Sequence, residues 1–240
     1  MKREPNHIER HQKESSYIRD LVFGFGDGIN TSLGIVAGVG GADASSNMII
    51  LAAVVAMFTG AKAMAVQNYL AVRSQRQILQ SQIEREKWEM ENTPNDEKQE
   101  IEEIYKDKGF SDPDLTKIVN KITSDKKVWL DTMIAEELKL NLDIVGKPFH
   151  GALIMFFSFL AGGILPIIPY FFASGTVPLL VAVGTSLSAS FVIGAMKSRL
   201  ANLSIIRGGL EMAGLGTGVA LVGYGIGLEL AHLGILKPQI

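Results

Sequence analysis

Charged residues are distributed so unevenly along this 240-residue chain that few folds can accommodate it. Residues 149–196 contain no Asp, Glu, Lys or Arg, and residues 21–71 contain only Asp27, Asp43 and Lys62. A helix needs about 20 predominantly apolar residues to cross the core of a bilayer. We therefore predict an all-α membrane protein, a five-span transmembrane helical bundle in contact with the lipid bilayer.

The five spans are expected at about residues 20–40, 48–71, 149–172, 178–196 and 208–232. Pro166 and Pro169 should kink the third span near its far end, because proline has no N–H to donate within a helix. The predicted domains are an N-terminal arm at 1–19, spans one and two at 20–72, a polar block at 73–148, and spans three to five at 149–240.

The polar block separates the second span from the third and is predicted to be a helical domain inserted into the bundle. It contains 17 Asp and Glu and 13 Lys and Arg. Strong helix formers without Pro or Gly continue from the second span to Asn92, so one long helix should project out of the bilayer. Thr93 and Pro94 should end that helix. Further helices are predicted at 96–108, 113–121 and 125–140.

The positions of Lys and Arg predict the topology. Of the 23 Lys and Arg, 21 lie in the arm, the polar block and the loop at 197–207, which five spans place on one side. Positive charge marks the cytoplasmic side of membrane proteins, so the N-terminus and residues 73–148 are expected in the cytosol. No cleavable signal peptide is apparent. The host membrane is predicted to be a plasma (inner) membrane, with a vacuolar membrane as the alternative.

Composition and motifs exclude several function classes. A formal net charge of −2 gives no indication of nucleic acid binding. The chain has no cysteine, which excludes disulfides and thiolate metal sites. The segment GFGDG does not complete a dinucleotide fingerprint, and no nucleophile–base set is apparent. We therefore expect neither an enzyme nor a tightly bound cofactor.

Acidic residues in the polar block are paired at helical spacing, which puts each pair on one helix face. Carboxylate oxygens suit divalent cations, and a thioether shifts the preference towards transition metals. Two interpretations follow, a metal site enclosed by three helices or a solvated acidic surface. The candidate metal ligands are Glu86, Glu89, Glu97, Glu100, Met133 and Glu137.

The first two spans contain polar residues that a lipid-facing helix would not carry. Asp27 lies inside the first span, where a carboxylate is costly and is therefore a functional candidate. Met64 and Asn68 share one face of the second span and would add a thioether and an amide oxygen to a transport pathway, although ordinary packing also explains Met64. Lys62 is expected either to reach the membrane surface or to pair with Asp27.

Several motifs in the right order resemble the vacuolar iron transporter family over nearly the whole chain after the arm. The resemblance rests on Val22-Phe23-Gly24 with Asp27-Gly28, Ser74-Gln75-Arg76, Ile104-Tyr105 with Gly109, Leu165-Pro166 with Pro169-Tyr170, and Arg207-Gly208-Gly209-Leu210.

This resemblance implies a homodimer that exports a divalent metal, Fe²⁺ or alternatively Mn²⁺, from the cytosol by proton exchange. It implies that the metal is a substrate, held first by the six candidate ligands and then by Asp27 and Met64. The family often has carboxylates where this chain has Ala56 and Asn68, and Lys62 adds a positive charge there. A membrane-anchored metal buffer or sensor without transport is therefore an alternative, and a small channel is a third.

Overall fold

The computed structural model describes residues 6–139 and 146–234, with side chains from residue 16 onward. Every regular element in these ranges is helical, which confirms the predicted all-α class. The helices are α1 (Asn6–Gly41), α2 (Ser46–Asn92), α3 (Pro94–Asp107), α4 (Asp114–Thr123), α5 (Lys126–Glu136), α6 (Pro148–Gly163), α7 (Thr176–Leu200) and α8 (Ile205–His232), with a 3-10 helix at Ile168–Phe171.

Four of the described helices are long and apolar enough to cross a membrane, namely residues 16–41 of α1, α2, α7 and α8. The shorter α6 is also apolar. The chain divides into a membrane unit, residues 14–70 and 147–240, and a polar unit, residues 1–13 and 71–146. As predicted, α2 continues without interruption beyond the second span and ends at Asn92, just before Thr93 and Pro94.

Helix bounds differ from the predicted ones at several places. Helix α1 begins at Asn6 rather than near residue 20, because residues 6–19 include good helix formers and no Pro or Gly to stop the helix. Helix α5 ends at Glu136, earlier than predicted, and Leu140 lies outside the described residues. The first five residues of the predicted arm and residues 235–240 of the last domain also lie outside them.

The predicted third span is not one kinked helix. Helix α6 ends at Gly163, and a turn leads into the short 3-10 helix at Ile168–Phe171. Pro166 and Pro169 cannot donate the N–H that a continuing α-helix requires. The 3-10 segment nevertheless lies against the bundle, because Ile167 and Tyr170 are buried in the core cluster that also contains Met57 and Phe159.

Glycines let α1 approach its neighbours closely in the membrane unit. A Cβ added to Gly28 would overlap the backbone oxygen of Phe159 on α6. On the far part of α1, a Cβ on Gly227 of α8 would overlap the backbone oxygen of Gly38. Small residues of this kind are typical of helix contacts in membranes, where close backbone packing replaces the hydrophobic driving force.

The polar unit has a small core of its own. Ile101 of α3 and Met133 of α5 are fully buried, and Trp129 packs beside them with residues of α4. The side chain of Asp125 starts α5 by accepting hydrogen bonds from the backbone N–H groups of Lys127 and Val128, at 2.8 and 3.2 Å. This capping satisfies donors that a helix start otherwise leaves unpaired.

We predict that Gly28→Ala lowers the thermal unfolding midpoint of the purified protein in detergent. The free energy of unfolding should fall by about 1–3 kcal/mol, because the new methyl group overpacks the contact with α6. Gly218→Ala is the matched control, since a Cβ there meets nothing within 4 Å and alanine favours a helix over glycine. Equal midpoints for the two variants would contradict the proposed role of the α1–α6 contact.

Candidate metal centre

Three acidic side chains of the polar unit converge, each from a different part of the chain. Glu86 lies on α2, Glu97 in the first turn of α3, and Glu137 directly after the end of α5. The turn at Thr93 and Pro94 reverses the chain between the first two. One carboxylate oxygen from each of the three residues lies within 4.8 Å of the others, a spacing that one metal ion could bridge.

Burial of two of these carboxyl groups is unusual for acidic residues. Glu86 is 2% exposed and Glu97 is 4% exposed, whereas Glu is almost never buried without a partner. Glu86 Oε1 and Glu97 Oε2 are buried and have no hydrogen-bond partner within the described residues. A buried polar atom without a partner costs free energy, so these two oxygens indicate a site that favours a bound cation.

The environment raises the pKa of all three carboxyl groups. Burial raises the pKa of Glu86 to about 8, and a hydrogen bond with Glu97 and the charge of Glu137 add to the effect. Burial also raises the pKa of Glu97, while the hydrogen bond from Glu86 opposes that shift. Burial and the charges of Glu100 and Glu97 raise the pKa of Glu137 to about 7. A divalent cation would relieve these penalties by favouring the ionised forms.

The other predicted ligands occupy different positions around this cluster. Glu100 lies close enough to Glu137 for its charge to raise the pKa of that carboxyl group. Glu89 accepts a 2.9 Å hydrogen bond from Arg85, and its negative charge contributes to the raised pKa of Glu86 and Glu137. Met133 of α5 is fully buried in the core of the polar unit, four residues before Glu137. Ligand roles for Glu89, Glu100 and Met133 remain predictions.

In the membrane unit, Asp27 lines a cavity of about 490 Å³ bordered by α1, α7 and α8. Asn30 lies one helical turn further along α1 and lines the same cavity. Met212 of α8 borders the cavity too. The sequence showed Asn30 at the helical spacing from Asp27, but nothing in it connected α1 with Met212.

The remaining two predicted pathway residues lie elsewhere in the membrane unit. Met64 is partly buried and packs against the core cluster around Met57 and Phe159. The amide nitrogen of Asn68 lies 3.4 Å from Asp20 Oδ2, as a long hydrogen bond. The structure therefore does not bring Met64 or Asn68 into the lining of the Asp27 cavity, and their pathway roles remain predictions.

Asp20 is a buried acid that the sequence analysis did not single out. It is 1% exposed, and Arg19 lies 2.9 Å from its Oδ1 atom. A Cβ on Gly151 of α6 would lie 2.7 Å from Asp20 Oδ2, so glycine makes room for the carboxylate. The adjacent Arg-Asp pair at the start of an apolar stretch was a visible signal for such an ion pair.

Lys62 is exposed on α2, and Asp27 and Lys62 form no ion pair in the part of the chain that the structure describes. The described residues therefore do not show the predicted pairing of Lys62 with Asp27. Exposed neighbours on the same side of α2 include Phe58 and Val66, so the ammonium group lies on an otherwise apolar face.

Helical spans in the membrane unit and a buried acidic cluster in the polar unit define a multi-pass helical membrane protein. The sequence pattern of the VIT family matches residues 18–228, a range that overlaps every described span and includes the acidic cluster. The chain therefore belongs to the VIT family.

Curated relatives cover most of this chain. Vacuolar iron transporter 1 of Oryza sativa subsp. japonica is 29% identical over 222 residues, covering 92% of this chain and 88% of that protein. The vacuolar iron transporter of Plasmodium falciparum is 30% identical, with 94% and 86% covered. That of Toxoplasma gondii is 31% identical, with 92% and 77% covered.

We predict that the metal-free protein loses thermal stability as the pH rises from about 5 to 8.5. Glu86 and Glu137 ionise near pH 8 and pH 7 when folded, whereas an unfolded Glu ionises at about 4.3. Their stabilising contribution is therefore complete below the unfolded pKa and is lost as the pH rises through the folded pKa values. Differential scanning fluorimetry across this pH range measures the effect.

Glu86→Gln should flatten this pH dependence, because glutamine stays neutral throughout. Glu102→Gln, which changes an exposed carboxylate, is the matched control and should retain the slope. Added Mn²⁺ should raise the wild-type midpoint more at pH 8 than at pH 6, since metal and protons compete for the same oxygens. A Glu86→Gln slope identical to that of the wild type would show that Glu86 does not titrate as described.

Proposed function

We propose that this protein transports a divalent transition metal, with Fe²⁺ as the principal substrate, across the membrane that its spans cross. The observation that carries the proposal is the convergence of Glu86, Glu97 and Glu137, two of which bury an oxygen that has no partner among the described residues. Membership of the VIT family and relatives named as vacuolar iron transporters support it. A transporter, rather than an enzyme, accounts for a metal-binding cluster attached to several spans.

Capture and passage are assigned to different residues. The acidic cluster collects the ion, with Glu89, Glu100 and Met133 as further ligands. Asp27 then receives it inside the membrane unit, where a carboxylate is otherwise costly. Met64 and Asn68 are further candidate pathway residues. They would act with Asp27 only if a conformational change, or a second copy of the chain, places them near it.

The direction we propose is export from the cytosol in exchange for protons, with Mn²⁺ as a second substrate. The clustering of Lys and Arg on one predicted side supports a cytosolic position for the acidic cluster, from which export would begin. Support for the exchange comes from the raised pKa values of Glu86 and Glu137, because a carboxyl group that holds a proton near neutral pH must release it to bind metal.

The assembly is proposed to be a homodimer in a lipid bilayer, as the family resemblance implies. The names of the relatives agree with a vacuolar membrane and give no support to the plasma membrane preferred from the sequence. We therefore propose the vacuolar membrane as the location. The N-terminus and residues 73–148 are proposed to face the cytosol.

A metal buffer or sensor anchored in the membrane is the second candidate. One observation favours it: the second span offers Ala56 and Asn68 rather than carboxylates, and Asn68 is engaged with Asp20. Such a protein would bind metal at the acidic cluster and carry no flux.

We predict that liposomes containing the wild-type protein and loaded with a metal-sensitive dye take up Fe²⁺ and Mn²⁺. Asp27→Asn should reduce the initial rate of uptake at least about tenfold. The reason is that this variant removes the only carboxylate that lines the cavity among the described residues. Runs with and without a pH gradient test the exchange. Asp43→Asn is the matched control, since it makes the same chemical change at a residue with φ of 57°, a conformation that asparagine tolerates.

Each outcome of this experiment separates the candidates. Uptake that requires Asp27 and responds to the gradient supports the exchanger, and uptake independent of the gradient supports a channel. Equal uptake by Asp27→Asn and the wild type would overturn the role of Asp27. Metal binding by the full-length protein that Glu86→Gln abolishes, combined with no uptake, would favour the buffer or sensor.

A further inference from the structure

The cavity beside Asp27 contains donors of three chemical kinds. Asp27 supplies a carboxylate, Asn30 an amide oxygen and Met212 a thioether. The first two come from successive turns of α1 and the third from α8. The rest of the lining is mainly apolar, including Val22, Phe23 and Leu215, apart from the cationic side chains of Arg19 and Lys197.

Two glycines create the space that Met212 occupies. A Cβ on Gly26 of α1 would lie 3.0 Å from Met212 Cε, and a Cβ on Gly194 of α7 would lie 2.8 Å from Met212 Cγ. The flexible thioether side chain therefore lies where three helices meet, next to the residue that precedes Asp27. Methionine sulfur is polarizable and is a soft ligand suited to transition metals.

The side-chain oxygen of Asn30 is a second candidate ligand atom. Its Oδ1 atom is buried and has no hydrogen-bond partner among the described residues. A Cβ on Gly216 of α8 would lie 3.6 Å from Asn30 Oδ1 and 3.7 Å from Ser190 Oγ, so both oxygens flank the same small gap. An unsatisfied polar group within a bilayer is costly, which makes a bound cation or its water a favourable occupant.

Serine hydroxyls continue this polar line along α7. Ser186 and Ser190 lie one turn apart in the buried stripe of that helix, at 0% and 2% exposure. Ser186 Oγ is also buried without a partner in the described ranges. Ser186 lies one turn further from Lys197 than Ser190 does.

The positive charges on the cavity lining do not prevent a cation from binding there. The Asp20 carboxylate lies 2.9 Å from the Arg19 guanidinium and neutralises its positive charge. Lys197 is exposed near the end of α7, where water and salt screen its charge. Asp27 therefore remains the uncompensated charge nearest to Asn30 on α1.

We propose that Asn30 and Met212 complete the intramembrane metal-binding site with Asp27, and that the Met212 thioether makes this site prefer Fe²⁺ and Co²⁺ over Mn²⁺. This proposal rests on the proposed transport function and adds the residues that set its selectivity. The oxygens of Asp27 and Asn30 accept any of these ions, whereas sulfur favours the softer ones.

The test compares Met212→Leu with the wild type in the same proteoliposome assay, using Fe²⁺, Co²⁺ and Mn²⁺ in turn. Leucine keeps the volume and apolar character and removes only the sulfur. We expect Co²⁺ and Fe²⁺ uptake to fall about tenfold, a loss typical of disturbing a metal site, with Mn²⁺ uptake changed much less. Met196→Leu, at an exposed position outside the cavity lining, is the control and should keep the wild-type ratio.

Asn30 is tested by loss and rescue. Asn30→Leu should reduce uptake of all three ions, and Asn30→Asp, which restores an oxygen ligand, should recover it. Met64→Leu is run in parallel as the competing assignment. The proposal is overturned if Met212→Leu keeps the wild-type ion ratio or if Asn30→Leu transports normally, even when Asp27→Asn abolishes uptake and the proposed function stands.

A binding measurement keeps the proposal testable if the wild type carries no flux. Co²⁺ titration of the full-length protein in nanodiscs, with Glu86→Gln, Glu97→Gln and Glu137→Gln combined to silence the acidic cluster, isolates the membrane site. Saturable binding that weakens about tenfold with Met212→Leu supports the site without transport. No saturable binding in that background, or binding unaffected by Met212→Leu and Asn30→Leu, overturns it.

Discussion

Close backbone contact between α1 and its neighbours is the interaction on which the membrane unit depends. Lipid is as apolar as leucine, so helices in a bilayer gain little by hiding apolar side chains from it and must associate through close packing. Gly28 brings α1 against α6, and Gly38 with Gly227 brings its far part against α8. Helix α1 is thereby fixed between two partners, which sets where Asp27 and Asn30 can lie.

The same close packing limits how polar groups inside the membrane unit are satisfied. Asp20 has both Arg19 and Asn68 as partners, and its ion pair with Arg19 is structural. Asn30 and Ser186 have buried oxygens without partners in the described residues. This difference separates a polar residue with partners in the fold from polar residues whose oxygens the proposed metal site could use.

In the polar unit, the small core of α3, α4 and α5 holds acidic groups against their mutual repulsion. Ile101, Trp129 and Met133 form part of the apolar core of this unit, and Glu86 and Glu97 are buried in the same unit. Glu137 also follows the C-terminal end of α5, where the helix dipole disfavours a negative charge. Charge repulsion, burial and the helix dipole all disfavour the ionised carboxylates, and a bound divalent cation would favour them.

Much of the acidic cluster was visible in the sequence, because helical spacing defines faces. Spacing predicted that Glu86 and Glu97 belong to faces able to enclose a cation, and the structure brings them together with Glu137. Spacing did not reveal that Glu89 pairs with Arg85. An i, i+4 ion pair and a ligand role fit the same position in a helix, and spacing alone does not distinguish them.

The sequence by itself determined the helical class, the apolar spans and the long α2 that ends before Pro94, because the length of an apolar run and the local effect of proline act within one segment. Tertiary structure decided which side chains meet. It placed Met64 against a core cluster and brought Met212 of α8 to the cavity that Asp27 of α1 also lines. Such meetings depend on where glycines let distant helices approach, a property of helix pairs that no single stretch of sequence contains.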